Sequence, residues 1–174
     1  INAMYTHPSG FKVVPASMSL TDLQGVDIGR LPTALVGLQG TDFVILDCAA
    51  GLGREAITSL QSADEILLIT NPDLPSVADV LKTAKIAEDN DKKVLGVVVN
   101  KISGKSHELS IDQIEKMLGH KVIAEIPEDR SVPKSISMKV PLFAHDPNTN
   151  AAIGFNMLAH KLIGKDLIFG WMSR

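Results

Sequence analysis

A doubly wound α/β fold with a mostly parallel sheet is what this amino-acid sequence predicts. Five short runs rich in Val, Ile and Leu, at residues 11–15, 43–47, 65–70, 94–100 and 122–126, are continuously apolar instead of alternating, as strands covered on both faces require. Helical patterns fill the gaps between them, and such alternation implies right-handed crossovers with any ligand beyond the carboxyl ends of the strands. Composition agrees: 174 residues, 45% hydrophobic and 21% charged, suit one globular domain or a large piece of one.

The elements follow in order. Ile1-Asn2-Ala3 ahead of Met4 reads as a short remnant rather than a signal peptide, so residues 1–3 are set apart from a domain at 4–164 and a tail at 165–174. Tyr5 to Gly10 is a polar turn that leads straight into the first run. Residues 27–39 and 54–61 are the weaker helix candidates. Residues 75–89 place Val77, Val80, Leu81, Ala84 and Ala87 at helical spacing, with Pro75 suited to the first turn and Lys82 and Lys85 off the stripe. Ser110-Ile111-Asp112-Gln113 has the form of a capping box; Ile114, Met117 and Leu118 follow, and Gly119 closes the helix because glycine enters the left-handed region cheaply. Residues 150–163 repeat the pattern with Ile153, Met157, Leu158 and Leu162 before Gly164. There is no internal repeat and no low-complexity stretch.

Several function classes are disfavoured. Lys+Arg 17 against Asp+Glu 20 gives a net charge of −3, so no global positive field gathers nucleic acid. A single cysteine, Cys48, forms no intrachain disulfide and points to a cytoplasmic protein. No apolar run approaches the ~18–20 residues of a membrane span. His7, His107, His120, His145 and His160 are scattered without metal-ligand spacing, which argues against zinc. Cys48 follows its strand directly and reads as a small filler.

Chemistry is expected just after the strands. The run Phe43-Val44-Ile45-Leu46 closes on Asp47, as where a carboxylate holds the water shell of a nucleotide-bound Mg²⁺, or where it caps the next helix or turn. Ala49-Ala50-Gly51-Leu52-Gly53 is a small-residue loop able to approach a phosphate, or simply to turn the chain. Asn100 ends a strand with an amide that can donate and accept at once, or that begins a turn. Pro127 and Asp129 offer a carbonyl acceptor and a carboxylate, or a plain proline loop.

On these residues the sequence resembles the MinD/ParA family of deviant P-loop ATPases. Ile45-Leu46-Asp47-Cys48-Ala49-Ala50-Gly51-Leu52-Gly53 is similar to the family's second switch, Ile-Asp-x-Pro-Ala-Gly-Leu. Leu68-Ile69-Thr70-Asn71-Pro72-Asp73 resembles the segment Val-Thr-Asn-Pro-Glu, and Val97-Val98-Val99-Asn100-Lys101 the strand end whose Asn reads adenine. Ile126-Pro127-Glu128-Asp129 resembles the loop that cups the base, and Lys139-Val140-Pro141-Leu142 a later stretch of the same domain. The likeness runs from about Gly10 to Gly164 and leans to the MinD branch. It implies a P-loop-NTPase-like sheet, ATP and Mg²⁺ as cofactors, Asp47 as the Mg²⁺-water carboxylate, Gly51 as a γ-phosphate amide, and Asn100, Pro127 and Asp129 around the base. It also implies a homodimer, a cell-division partner and a role in division-site selection or chromosome partitioning.

The departures matter equally. The family's glycine-rich Lys-Gly-Gly-x-Gly-Lys-Thr/Ser loop is not among these residues; Gly104-Lys105 and Gly164-Lys165 lack its glycines. The first switch is also missing, and Ala49 replaces the usual proline. The expectation is therefore the C-terminal half to two-thirds of a MinD-like ATPase domain, inactive alone, with strands 43–47 and 65–70 pairing directly or recruiting a second chain. The tail at 165–174 carries Leu167, Ile168, Trp171 and Met172, which would form one apolar stripe for a peripheral membrane contact, or a final helix packed on the core. The alternative function is a non-catalytic paralogue acting as a protein-interaction module. An unrelated response regulator fits less well, because its acidic cluster would follow the first strand.

Overall fold

The computed structural model describes residues 4–8, 10–15, 27–38, 40–48 and 51–164. The tail residues Leu167, Ile168, Trp171 and Met172, the remnant at 1–3, and Ala49 and Ala50 lie outside them. The chain divides into two compact units, 1–63 and 64–174.

In the first unit, β1 (Tyr5–Thr6) and β2 (Lys12–Val13) form an antiparallel ribbon. Its turn is closed by His7 and Phe11, whose rings stack at 4.6 Å between centroids. The expectation of a buried parallel strand at 11–15 is thus corrected: two residues on a two-stranded ribbon have no second layer to cover them, and Phe11 and Val14 stay exposed. A 3-10 turn at Ile28–Arg30, capped by Asp27 through its bond from Gly29 N at 3.0 Å, leads into α1 (Leu31–Val36). This is shorter than the helix expected to reach residue 39. Then come residues 43–47, which form no strand. Ile45 is 89% exposed. A continuously apolar strand needs both faces covered and both edges paired, and the described residues of this unit supply neither. The helix α2 (Arg54–Ser62) closes the unit and carries Leu60, the one buried residue among those described there.

The second unit is the layered α/β body that the sequence predicts. Strands β3 (Glu65–Thr70), β4 (Lys93–Ile102) and β5 (Val122–Pro127) run parallel in the order β3-β4-β5. Helices α3 (Leu74–Asp89) and α4 (Ile111–Leu118) join them. After β5 come two short helices that the sequence pattern does not announce, α5 (Ser131–Ser137) and α6 (Leu142–His145), and then α7 (Asn150–Leu162). Alternation along β4 feeds two cores. Val97 and Val99 pack with Leu68, Val77, Ala84, Ile114 and Leu118 on one face, while Val98 packs with Ile126, Ala151 and Leu158 on the other. Burying each such side chain contributes about 1.5–3 kcal/mol, so β4 anchors both faces.

Local chemistry fixes the ends. Asp73 caps α3 through Ser76 N at 2.9 Å. Ser110 and Gln113 form the reciprocal capping box of α4, and Gly119 ends it at φ 71°. Glu115 accepts from Lys121 Nζ at 2.7 Å and Val122 N at 2.8 Å, tying α4 to the start of β5. The Lys121 bond, and then the Val122 amide, hold its carboxyl below the usual range. Opposite Ile66 and Leu67, β4 carries one extra residue beside Gly96, whose φ is +147°. A Cβ there would meet Ile123 Cγ2 at 2.5 Å and Lys121 O at 2.9 Å, so only glycine lets β5 approach. The sheet leaves β3 with a ladder on one side only among the described residues.

Candidate functional site

The candidate residues fall into both units, Asp47 and Gly51 in the first and Asn100, Pro127 and Asp129 in the second. In the first, Asp47 is exposed. It caps no helix: α2 begins at Arg54 behind Gly53, with no side-chain cap bond. Gly51 sits at φ +102° with nothing within 4 Å of a built Cβ, an open left-handed position whose amide approach a side chain would strain. Cys48 Sγ donates to Leu46 O at 3.5 Å and is exposed, so it does not fill a core. One exposed carboxylate suits a single water-mediated contact to Mg²⁺. Among the described residues no group of three or more His, Cys, Asp or Glu converges to hold a metal directly.

In the second unit the carboxyl ends of the strands gather the remaining candidates. Asn100 is half-buried near the end of β4. Its Oδ1 accepts from Lys101 N at 2.9 Å, which leaves the amino group and one lone pair for a ligand. Lys101 holds φ 58°, a left-handed backbone that costs a non-glycine residue roughly 1 kcal/mol. Pro127 ends β5 opposite Ile102, and Glu128 N donates to Ile102 O at 2.8 Å. The structure thus brings the ends of β4 and β5, and with them Asn100 and Pro127, into one corner.

Asp129 has a further duty. Its Oδ1 accepts from Ser131 N at 2.8 Å and its Oδ2 from Ala151 N at 3.2 Å, clamping the loop after β5 to the first turn of α7. The Ser131 amide, followed by the Ala151 amide, holds its carboxyl below the usual range. Such a carboxylate is rigid and charged, and part of its lone-pair capacity is already spoken for.

Sequence reasoning passed over Glu108. Its Oε1 accepts from Ser103 N at 2.9 Å and from Ser103 Oγ, and its Oε2 accepts from Gly104 N at 2.9 Å. These bonds, the Ser103 hydroxyl first, hold its carboxyl below the usual range. Leu109 N donates to Pro72 O at 2.9 Å, joining the same loop to the exit of β3. Nothing in the linear spacing announces this lacing, since the three donors meet one carboxylate only after β4 ends.

A protein-family model described as an AAA domain matches residues 57–135. An uncharacterized ATP-binding protein of Methanocaldococcus jannaschii is 34% identical over 164 residues, which cover 94% of this chain and 62% of that protein. The chain thus spans less than two thirds of that relative's length. Among solved structures, the cell division ATPase MinD of Pyrococcus furiosus superposes with a TM-score of 0.88 at 25% identity, over 94% of this chain and 70% of that one. The septum site-determining protein MinD of Pyrococcus horikoshii, complexed with Mg-ADP, gives a TM-score of 0.86 at 23% identity, over 92% and 67%. The parallel strand order and these likenesses agree on a P-loop-NTPase-like fold of the MinD/ParA type, and the chain is similar to MinD-like ATP-binding proteins over most of its length.

Proposed function

We propose that this chain carries the base-binding part and the switch carboxylate of a MinD-like ATPase that acts in division-site selection or chromosome partitioning. The observation that carries the reading is the corner at the end of β4, where Asn100 lies beside a left-handed Lys101 and the exit of β5 is bonded across at Ile102. Parallel α/β sheets place their ligands at such carboxyl ends. Asn100 reads the adenine edge, and Pro127 and Asp129 border the base. Within the first unit, Asp47 would hold Mg²⁺ through a water and the Gly51 amide would be a donor for a phosphate, the metal supplying charge neutralisation.

These 174 residues contain no lysine-bearing glycine loop, and in phosphoryl transfer that loop provides most of the charge-assisted contacts. Alone, the chain hydrolyses no ATP and holds Mg-ATP weakly, through the base. The protein works as a cytoplasmic homodimer with a cell-division partner, and Leu167, Ile168, Trp171 and Met172 provide a peripheral membrane contact.

Calorimetric titration tests the reading. Mg-ATP is expected to give no tight binding isotherm, and adenosine a weak one that Asn100→Ala abolishes. Tight Mg-ATP binding would refute the division of labour, and adenosine binding unchanged in Asn100→Ala would refute the base assignment.

A further inference from the structure

We propose that Glu108 is a positioning residue for the base-reading corner, and that its clasp on the loop after β4 keeps Asn100 and Lys101 in the geometry that selects adenine. The inference rests on the base-binding reading above and adds to it a residue outside the family resemblance.

The loop begins where β4 stops at Ile102. Its first two residues give three hydrogens to the one carboxylate of Glu108: the amide and hydroxyl of Ser103 and the amide of Gly104. Bonds to an ionised acceptor are about twice as strong as neutral ones, and the depressed carboxyl titration agrees with an ionised group. The far end of the loop is pinned by Leu109 N on Pro72 O, and the last residue of β4 by Glu128 N on Ile102 O.

Between these restraints sits Lys101 at φ 58°. A lysine stays in that region only where its surroundings over-determine the backbone. In that conformation its N–H turns back onto Asn100 Oδ1 at 2.9 Å, which fixes one end of the amide and leaves the amino group as the reading donor. A slack loop would let Lys101 relax to a commoner backbone and release Asn100. The clasp does not hold up the next helix, because Ser110 and Gln113 cap α4 by themselves. Glu108 can therefore be altered without uncapping α4.

The experiment is NMR titration of the 174-residue chain with adenosine and with guanosine, comparing wild type, Glu108→Gln, Ser103→Ala and the control Lys105→Ala, with thermal unfolding of each. In wild type, adenosine should shift the Asn100 side-chain amide, and guanosine should not. Glu108→Gln should shift the Asn100 and Lys101 resonances of the free protein and weaken adenosine about tenfold, the factor that 1.4 kcal/mol represents. Ser103→Ala, which deletes one donor, should move both in the same direction by less. Lys105→Ala should match wild type. A Glu108→Gln protein that is less stable but binds adenosine as wild type does would overturn the positioning role while leaving the base site intact. Should Glu108→Gln not fold, Ser103→Ala decides by the same comparison. Wild type with no adenosine shift at Asn100 would overturn the base site, and the positioning role with it.

Discussion

Lys101 and Asp129 show how single residues at the strand ends hold the local backbone in place. Lys101 occupies a left-handed backbone that straight-chain residues tolerate and β-branched ones resist. Lys101→Val should lower stability by about 1–2 kcal/mol and release Asn100, which denaturant melts and the Asn100 amide resonance would report. At Asp129 the sign of a pH effect can be worked out. Its folded carboxyl titrates below the ordinary 3.8, so its stabilisation is complete above the unfolded value and is lost as pH falls through the folded one. Wild type should therefore lose urea resistance on acidification from pH 3.8 downward. Asp129→Asn should be weaker by about 1 kcal/mol at neutral pH, because amides accept less strongly than carboxylates, and its decline in acid should be shallower. Parallel acid profiles for the two proteins would show that the clamp between the β5 loop and α7 carries no titrating charge. The places of Asn100 and Asp129 at and just beyond strand ends were legible in the sequence, because continuous apolar runs mark where such strands stop. The clamping bonds of Asp129 were not, since Ala151 lies 22 residues away.

Among elements, β4 decides the most. Its Val97, Val98 and Val99 alternate between two cores, which is why this stretch is apolar without interruption. Gly96 sets the spacing between β4 and β5, with Ile123 and the Lys121 carbonyl inside the reach of any Cβ. Gly96→Ala should cost about 1–3 kcal/mol by overpacking; chemical denaturation at wild-type stability would mean that β5 can retreat freely. Helix α4 was fully legible, because a capping box and a terminal glycine act within a few residues of each other. Helices α5 and α6 were not. They are short, Pro133 and Pro141 punctuate them, and they are held by packing such as that of Val132 and Leu142 against the second core rather than by periodicity.

At the scale of the whole molecule the two units differ in kind. Unit 64–174 has cores on both faces of a parallel sheet, whereas in unit 1–63 Leu60 is the only buried residue among those described. Hydrogen exchange should therefore show the amides of β4 protected by orders of magnitude, while those of residues 43–47 exchange close to the unfolded rate. Equal protection in both stretches would show that the 43–47 run is covered in solution. The sequence by itself determined what is local: the identity of strands 65–70, 94–100 and 122–126, the caps of α4, and the order of motifs that resembles the MinD/ParA family. Tertiary structure alone decided the fate of 11–15 and 43–47, because apolarity states that a strand demands cover without supplying the layers that provide it. It also decided the lacing of Glu108, because Ser103 and Gly104 reach one carboxylate only when the loop after β4 folds on itself between residues 103 and 108.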